Sequence, residues 1–262
     1  MDKVIRAVAP GPAETFLEIG PGRGALTRPL TAAAACVVAF EIDRDLAADL
    51  RATAPANLLV VGGDFLDVSP GRLREALAVV CRADPTLDAA PTAVRVAGNL
   101  PYNAASPMLF KLTELYQAGV PLSDATVMLQ REVADRLLAP PGSRDYGVLS
   151  VLIRHVADVD RLLALPPGAF RPAPEVRSAI VRLRFHADEP ATRSRQAFAD
   201  LVQAVFTRRR KTLANALLAY APASKTSISG ALDRSGIDGR RRPETLEVAE
   251  FVRLSDTFLE SA

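Results

Sequence analysis

The chain is poor in the residues that most often announce metal, redox or membrane chemistry. Its 262 residues include two cysteines and two histidines. Cys36 and Cys81 lack the short spacing of a metal or redox pair, and Cys36 falls in an apolar run, so both read as buried or incidental thiols of a reducing compartment. His155 and His186 are too few and too isolated to build a metal site, and no metal is expected. No apolar run approaches the roughly 18 residues of a membrane span. Met1-Asp2-Lys3-Val4 is not followed by the apolar core of a secretory signal. These absences lead to the expectation of a cytoplasmic protein without membrane contact. Neither sign of charge dominates, since 32 Lys and Arg stand against 30 Asp and Glu for a formal net charge of +2. Any nucleic-acid role must therefore come from local clusters. There is no internal repeat or low-complexity tract.

With 49% hydrophobic residues, the chain can bury a substantial core, and its length suits one large domain with a small appendage. Residues Asp2 to Val8 read as the end of a helix stopped by Pro10-Gly11-Pro12. Thr15 to Ile19 reads as a strand, Gly20-Pro21-Gly22-Arg23-Gly24 as a turn, and Ala25 to Ala34 as a helix. Strand, glycine turn and helix in that order are the layout of a mononucleotide-binding unit, although a plain strand–helix connection has the same look. The spacing is Gly-x-Gly-x-Gly, not the Gly-x-Gly-x-x-Gly of dinucleotide enzymes. Glu18 at the strand end would repel a pyrophosphate and suits a cationic ligand, such as an amino-acid ammonium. The second strand, Cys36 to Phe40, runs into Glu41-Ile42-Asp43. A carboxylate about 20 residues beyond the first glycine is placed for ribose hydroxyls. Glu41 takes that role, and Asp43 caps the helix that begins near Arg44. The third strand, Leu58 to Val61, leads to Gly62-Gly63-Asp64-Phe65. Asp64 suits an adenine amino group, with Ile42 and Phe65 on either side of the ring; an Asx turn is the other reading of Asp64.

The most informative stretch is Val94 to Tyr102, a short strand that breaks at Gly98 into Asn99-Leu100-Pro101-Tyr102. Pro101 fixes its own φ and holds Leu100 extended. An amide, two carbonyls and an aromatic ring thus meet at a strand end, where open α/β sheets bind ligands. That set suits methylation of an exocyclic base amine. The Asn99 amide oxygen and the Leu100 carbonyl accept its two N–H groups and favour a tetrahedral, nucleophilic nitrogen. Tyr102 offers a stacking face worth about 1–3 kcal/mol for a flipped base.

Further on, Pro70 to Cys81, Pro107 to Tyr116, Arg131 to Leu138 and Tyr146 to Val156 read as helices, with Arg82 to Pro91 as a loop. Ala125 to Gln130, Val159 to Leu165 and Ser178 to Phe185 read as strands. The proline-braced segment Pro166 to Pro174 carries Phe170, read either as a second stacking wall or as a core plug. Composition turns polar and small from Ala187 to Arg195, which sets the expected domains at 1–186 and 187–262. The second is helical, at about Arg195–Thr207, Thr212–Ala219, Ile228–Ser235 and Glu244–Leu259. It carries two basic runs, Arg208-Arg209-Arg210-Lys211 and Arg240-Arg241-Arg242, which are phosphate-sized patches or solvated helix ends.

Glu18-x-Gly20-x-Gly22-x-Gly24, Glu41-x-Asp43, Gly63-Asp64 and Asn99-Leu100-Pro101-Tyr102 fall at successive strand ends. Together with Phe170-x-Pro172-x-Pro174, Arg209-Arg210-Lys211-Thr212-Leu213 and Arg242-Pro243-Glu244, they resemble the ribosomal RNA adenine N6-dimethyltransferase family, most closely its bacterial small-subunit branch. The resemblance covers nearly the whole chain. It implies an α/β, Rossmann-like class I methyltransferase domain with a small all-α C-terminal domain. It also implies S-adenosyl-L-methionine as cofactor, held by the Gly20 loop, Glu41, Ile42, Asp64, Phe65 and Asn99. Asn99, Leu100 and Pro101 would face the target adenine, while Tyr102 and Phe170 stack it. The implied partner is 16S rRNA within the small ribosomal subunit, bound by a monomer. The implied reaction gives dimethyladenosine at two adjacent adenines near the rRNA 3′ end. Family members usually begin with a basic arm and a Gly-Gln-Asn/His-Phe-Leu segment, and Met1 stands inside or just after that place; the expectation is a displaced start of a chain of usual length. The rivals are the large-subunit methyltransferases of macrolide resistance, disfavoured by Leu100 and the Phe170 loop, and a non-catalytic rRNA-binding assembly factor, disfavoured by the intact Glu41 and Asn99.

Overall fold

The computed structural model describes residues 2–82, 90–166, 177–220 and 227–260. Phe170 and its loop lie outside the described residues, as does most of the segment Arg82 to Pro91. The chain forms two compact units, one of Met1–Ala134 with Asp158–Phe185, the other of Asp135–Ala157 with His186–Ala262.

The first unit carries a seven-stranded sheet in the order β3-β2-β1-β4-β5-β7-β6. Its strands are β1 (Thr15–Ile19), β2 (Cys36–Glu41), β3 (Leu58–Gly62), β4 (Val94–Asn99), β5 (Leu122–Gln130), β6 (Ala157–Leu165) and β7 (Ser178–Phe185). The first five run parallel, and β7 pairs antiparallel with β5. Strands β1 and β2 are buried at every position, as strands covered on both faces must be. That requirement is why their sequences are mostly apolar, with Glu18 and Glu41 falling at or next to their carboxyl ends. Helices α1 (Asp2–Val8), α2 (Thr27–Ala33), α3 (Arg44–Ala52), α4 (Pro70–Cys81) and α5 (Ala105–Gln117) complete the α/β layers. On one face Phe16 and Val37 pack with Val4 and Val8 of α1 and with Leu26 and Leu30 at α2.

Strand β5 starts three residues earlier than its apolar pattern suggests, because Asp124 lies within it. Asp124 is not a turn residue. It accepts from Arg95 Nε at 2.7 Å and from Arg95 Nη2 at 3.0 Å, and Arg182 Nε lies 3.3 Å away. Arg95 also donates to Glu14 at 2.8 Å and to the carbonyls of Val8 and Ala9, while Arg182 donates to the carbonyl of Ala7. Two strand arginines thus satisfy the last carbonyls of α1, which has no following turn to do so.

The second unit is helical, with α6 (Arg131–Leu138) leading into it and α7 (Val148–Arg154), α8 (Arg195–Thr207), α9 (Leu213–Ala216), α10 (Ile228–Ser235) and α11 (Val248–Leu259) inside it. Residues 135–157, placed with the first domain from sequence, pack here. Tyr146 is fully buried and donates from its hydroxyl to the Leu246 carbonyl at 2.9 Å. The expected helix over Tyr146–Val156 therefore begins only at Val148, after Gly147. The expected helix Glu244–Leu259 is a 3-10 turn, Pro243–Thr245, followed by α11, whose first turn is closed by a reciprocal Glu247–Glu250 capping box. Among the described residues no helix is long and apolar enough to cross a membrane.

Gly98 is required where β4 ends. A Cβ there would stand 2.8 Å from the Ile19 carbonyl oxygen and 3.4 Å from Ile19 Cβ. Gly98→Ala is expected to destabilise the protein by about 1–3 kcal/mol through overpacking against backbone. Chemical denaturation checks this; an unchanged midpoint would show that β1 and β4 separate freely.

Candidate active site

The carboxyl ends of β1 to β4 fall in line, with Ile19 opposite both Phe40 and Gly98, and Glu41 opposite Gly62. The glycine loop leaves β1 at this edge. Gly20, Gly22 and Gly24 all have positive φ, at 67°, 56° and 78°. At Gly24 a Cβ would also meet Leu50 Cδ2 at 2.9 Å, so the loop packs onto α3 only without a side chain. The Gly20 N–H donates to the Phe40 carbonyl at 3.0 Å, which ties the loop to β2.

Glu41 is buried and braces the loop. Its Oε2 accepts from Gly22 N at 2.8 Å and its Oε1 from Asp43 N at 3.0 Å. Each carboxylate oxygen retains acceptor capacity for a hydroxyl donor. Asp43 does what was expected of it, accepting from Asp45 N and Leu46 N at the start of α3. Ile42 is 66% exposed, an apolar face beside the loop. Asp64 accepts from Leu66 N at 2.9 Å through Oδ1 and so forms the Asx-type cap of a 3-10 turn, Phe65–Asp67; Oδ2 takes no part in that bond. Phe65, expected beside the same ring as Ile42, is buried. The turn sends its ring into the core, 3% exposed and edge-on to Phe40 at 5.9 Å, so Ile42 alone of the pair presents an open apolar face.

Glu18 lies inward of the loop, 1% exposed. Its Oε2 and the Thr27 hydroxyl oxygen are buried without a hydrogen-bond partner among the described residues. Burial pushes its pKa up to about 7; the Thr27 hydroxyl acts against this and the nearby Glu41 carboxylate adds to it.

Beyond β4, the tetrapeptide is pinned at both ends. Leu100 N donates to the Met128 carbonyl at 3.1 Å, and the Pro101 carbonyl accepts from Ala104 N at 3.0 Å. Leu100 is buried, whereas Asn99, Pro101 and Tyr102 are exposed. The Asn99 carbonyl oxygen lies 3.9 Å from where a Cβ of Gly20 would stand, which sets the tetrapeptide beside the glycine loop. Tyr102 is not a core residue. Its ring is 37% exposed and its hydroxyl is 3.2 Å from Ser178 Oγ. Ser178, which opens β7, was not singled out as a site residue; a lone serine at a strand start carries no signal of that contact. Thr27 was missed for the same reason.

The two basic runs of the second unit differ. Thr207, Arg208, Arg209, Arg210, Lys211, Asn215 and Leu218 line a cavity of about 610 Å³. Arg209 is anchored, donating to the Ser143 carbonyl at 3.0 Å and lying 4.0 Å from Glu244 Oε2, while Arg210 and Lys211 are exposed. In the other run, Arg241 is bound to both Glu250 oxygens and to the Thr245 carbonyl, and Arg240 folds back on Asp238. In this run Arg241 thus closes the turn ahead of α11 and Arg240 pairs locally with Asp238, while Arg242 is exposed. No group of three or more His, Cys, Asp or Glu placed to hold a metal occurs among the described residues.

A central parallel sheet, a glycine loop after β1, acids at the ends of β1 and β2 and an antiparallel β7 define a Rossmann-like methyltransferase. The structure resembles that of a dimethyladenosine transferase from Plasmodium falciparum, with a TM-score of 0.72 at 24% identity over 97% of this chain and 92% of that one. It also resembles the 23S rRNA methyltransferase ErmE, with a TM-score of 0.62 at 25% identity over 98% and 95%. The family model for ribosomal RNA adenine dimethylase matches residues 1–259, and the chain belongs to that family. Among its relatives, the ribosomal RNA small subunit methyltransferase A of Acinetobacter baylyi is 40% identical over 257 residues, 97% of this chain and 85% of the relative. Its Xanthomonas campestris counterpart is 41% identical over 261 residues, 99% and 91%.

The folded value for Glu18 lies above the ordinary 4.5. Its contribution to stability is therefore fully present below that value and is lost as pH rises towards about 7. Glu18→Gln removes the titration. Between about pH 4.5 and pH 8 the stability of the variant relative to the native protein is expected to improve by roughly 3 kcal/mol. Urea denaturation across that range checks this; a pH-independent difference would show that Glu18 ionises freely in the fold.

Proposed function

We propose that the protein transfers methyl groups from S-adenosyl-L-methionine to N6 of two adjacent adenines near the 3′ end of small-subunit rRNA. The observation that carries this reading is the Asn99-Leu100-Pro101-Tyr102 segment, with Asn99, Pro101 and Tyr102 exposed, beside the glycine loop, in a chain of the adenine dimethylase family whose relatives are named for the small subunit. The residues present fit the cofactor: an unsatisfied buried carboxylate oxygen at Glu18, a second acid at the end of β2 and a loop with three positive-φ glycines. When bound, the cofactor supplies a methyl group on a sulfonium centre.

The remaining chemistry belongs to side chains and backbone. Glu41 holds ribose hydroxyls while keeping its grip on Gly22. Ile42 covers one face of the adenine of the cofactor, and Asp64 accepts from its amino group through the oxygen outside the Asx turn. The Asn99 side-chain oxygen and the Leu100 carbonyl accept both N–H groups of the target amine. That arrangement draws the nitrogen lone pair out of conjugation and aims it at the donor. Tyr102, tethered through its hydroxyl, stacks on the flipped base, and Phe170 serves as the opposite wall. The amine loses its proton readily once methylated and cationic, so no strong base is needed. The helical unit, 187–262 with the segment that packs in it, binds rRNA phosphates through the cavity of Arg208 to Lys211.

The test is transfer of labelled methyl from S-adenosyl-L-methionine to small subunits lacking this methylation, beside large subunits as control. Label recovered as N6,N6-dimethyladenosine in small subunits alone is expected; label in large subunits would favour the macrolide-resistance activity. Asn99→Ala should lower turnover at least about a hundredfold with unchanged thermal stability, because the side chain is exposed and acts on the reacting amine. Near-native turnover would remove its role. Arg210→Ala with Lys211→Ala should reduce the salt slope of rRNA binding by about 1.5 to 2. Arg241→Ala should instead lower the melting temperature, since it leaves Glu250 unpaired. A steep salt slope retained by the double variant would return Arg210 and Lys211 to solvated surface.

A further inference from the structure

Glu18 sits in surroundings at odds with its charge. Its register neighbours are Ala39 on β2 and Ala97 on β4, which bring no donor side chain. From β2 the charged group that bears on it is Glu41, of the same sign; from α2 only the neutral Thr27 hydroxyl bears on it. Arg23 of the loop and Arg28 of α2 are exposed. The cation of β4, Arg95, is engaged near the opposite end of that strand with Glu14 and Asp124. Asn99, at the end of β4, is neutral. The two acids differ in one respect that decides the matter. Glu41 accepts two backbone N–H groups, whereas Glu18 Oε2 is sealed from water, with the Thr27 hydroxyl its one nearby donor and no well-formed hydrogen bond among the described residues. A carboxyl group so placed is stable as the neutral acid, or as a carboxylate only when a cation comes to it.

We infer that Glu18 is protonated in the free protein and ionises when a ligand ammonium enters the glycine-loop site, so that capture of the methyl donor and release of a proton are one event. The inference rests on the reading of that loop as the donor site. The exchange balances: the Glu18 carboxylic acid and the ligand ammonium become an ion pair, and the acid proton passes to solvent. No bond of the ligand is made or broken. The same site then favours donors with a charged amino-acid tail over nucleosides without one. Because the demethylated product keeps its ammonium, Glu18 takes its proton back only when the product leaves.

Calorimetric titration with S-adenosylhomocysteine, in buffers of different ionisation enthalpy, reads the proton directly. The window from about pH 6 to pH 7 lies below the ordinary α-amino range of about 7.7–8.0, so the ligand stays charged. Proton release is expected to fall from about 0.9 to about 0.5 per site across that window, while affinity rises about fivefold. Glu18→Gln should bind without that release and with a flat pH profile. 5′-Methylthioadenosine, which lacks the ammonium, should release no proton even from the native protein. Binding of S-adenosylhomocysteine with an enthalpy independent of buffer would overturn the inference and leave the donor site standing. Absence of binding at any pH would remove both. Release that persists in Glu18→Gln would assign the proton elsewhere and overturn it as well.

Discussion

The first unit depends on one partly buried guanidinium. Arg95 crosses from β4 to Asp124 on β5 and Glu14 ahead of β1, and reaches the last carbonyls of α1. Its side chain is 15% exposed and that of Asp124 is 12% exposed, so neither charge is tolerable there without the other. The network lies at the amino ends of the strands, away from the chemistry. Its effect is nonetheless felt at the other end. Fixing β4 against β1 and β5 at Arg95 fixes where Gly98 and Asn99 emerge, because past the irregularity between Val94 and Arg95 the β4–β5 register runs unbroken from Arg95 opposite Asp124 to Asn99 opposite Met128.

At the carboxyl ends the backbone does most of the positioning. The loop is held by hydrogen bonds from its N–H groups to the Phe40 carbonyl and the Glu41 carboxylate, and the tetrapeptide by hydrogen bonds to the Met128 carbonyl and from Ala104 N. Side chains are thereby left for ligands. The two acids illustrate how environment divides labour between like groups. Glu41, satisfied by N–H donors, is a structural brace with spare lone pairs. Glu18, with an oxygen that no described residue satisfies, is a receptor for charge.

Much of this was legible in the sequence where one residue type has one physical use. A glycine loop after an apolar run, an acid at the end of the second strand, an Asp at a helix start and a proline-locked Asn-Leu-Pro-Tyr each name their own geometry. What stayed hidden depends on partners distant in sequence. Asp124 looks like a break in β5 until Arg95 and Arg182 are seen to neutralise it. Phe65 looks like a ligand contact until the Asp64 turn directs its ring to Phe40. Arg241 counts as positive charge in the sequence, yet Glu250 consumes it nine residues later. The clearest case is the segment 135–157: its apolar helix pattern is the same whether it packs on a sheet or among helices, and only its tertiary neighbours decide.

That segment has a consequence for how the chain is made. The Tyr146 hydroxyl waits for a carbonyl 100 residues downstream, and its ring packs in a core that includes Phe251 and Phe258 of the last helix. During synthesis the polypeptide therefore emerges with an apolar segment whose shelter is translated 100 residues later. The sheet is complete once β7 is out, but the helical unit closes only after α11 has emerged. A premature stop within α11 would strand that segment in water, so the lesion would expose residues far upstream of itself.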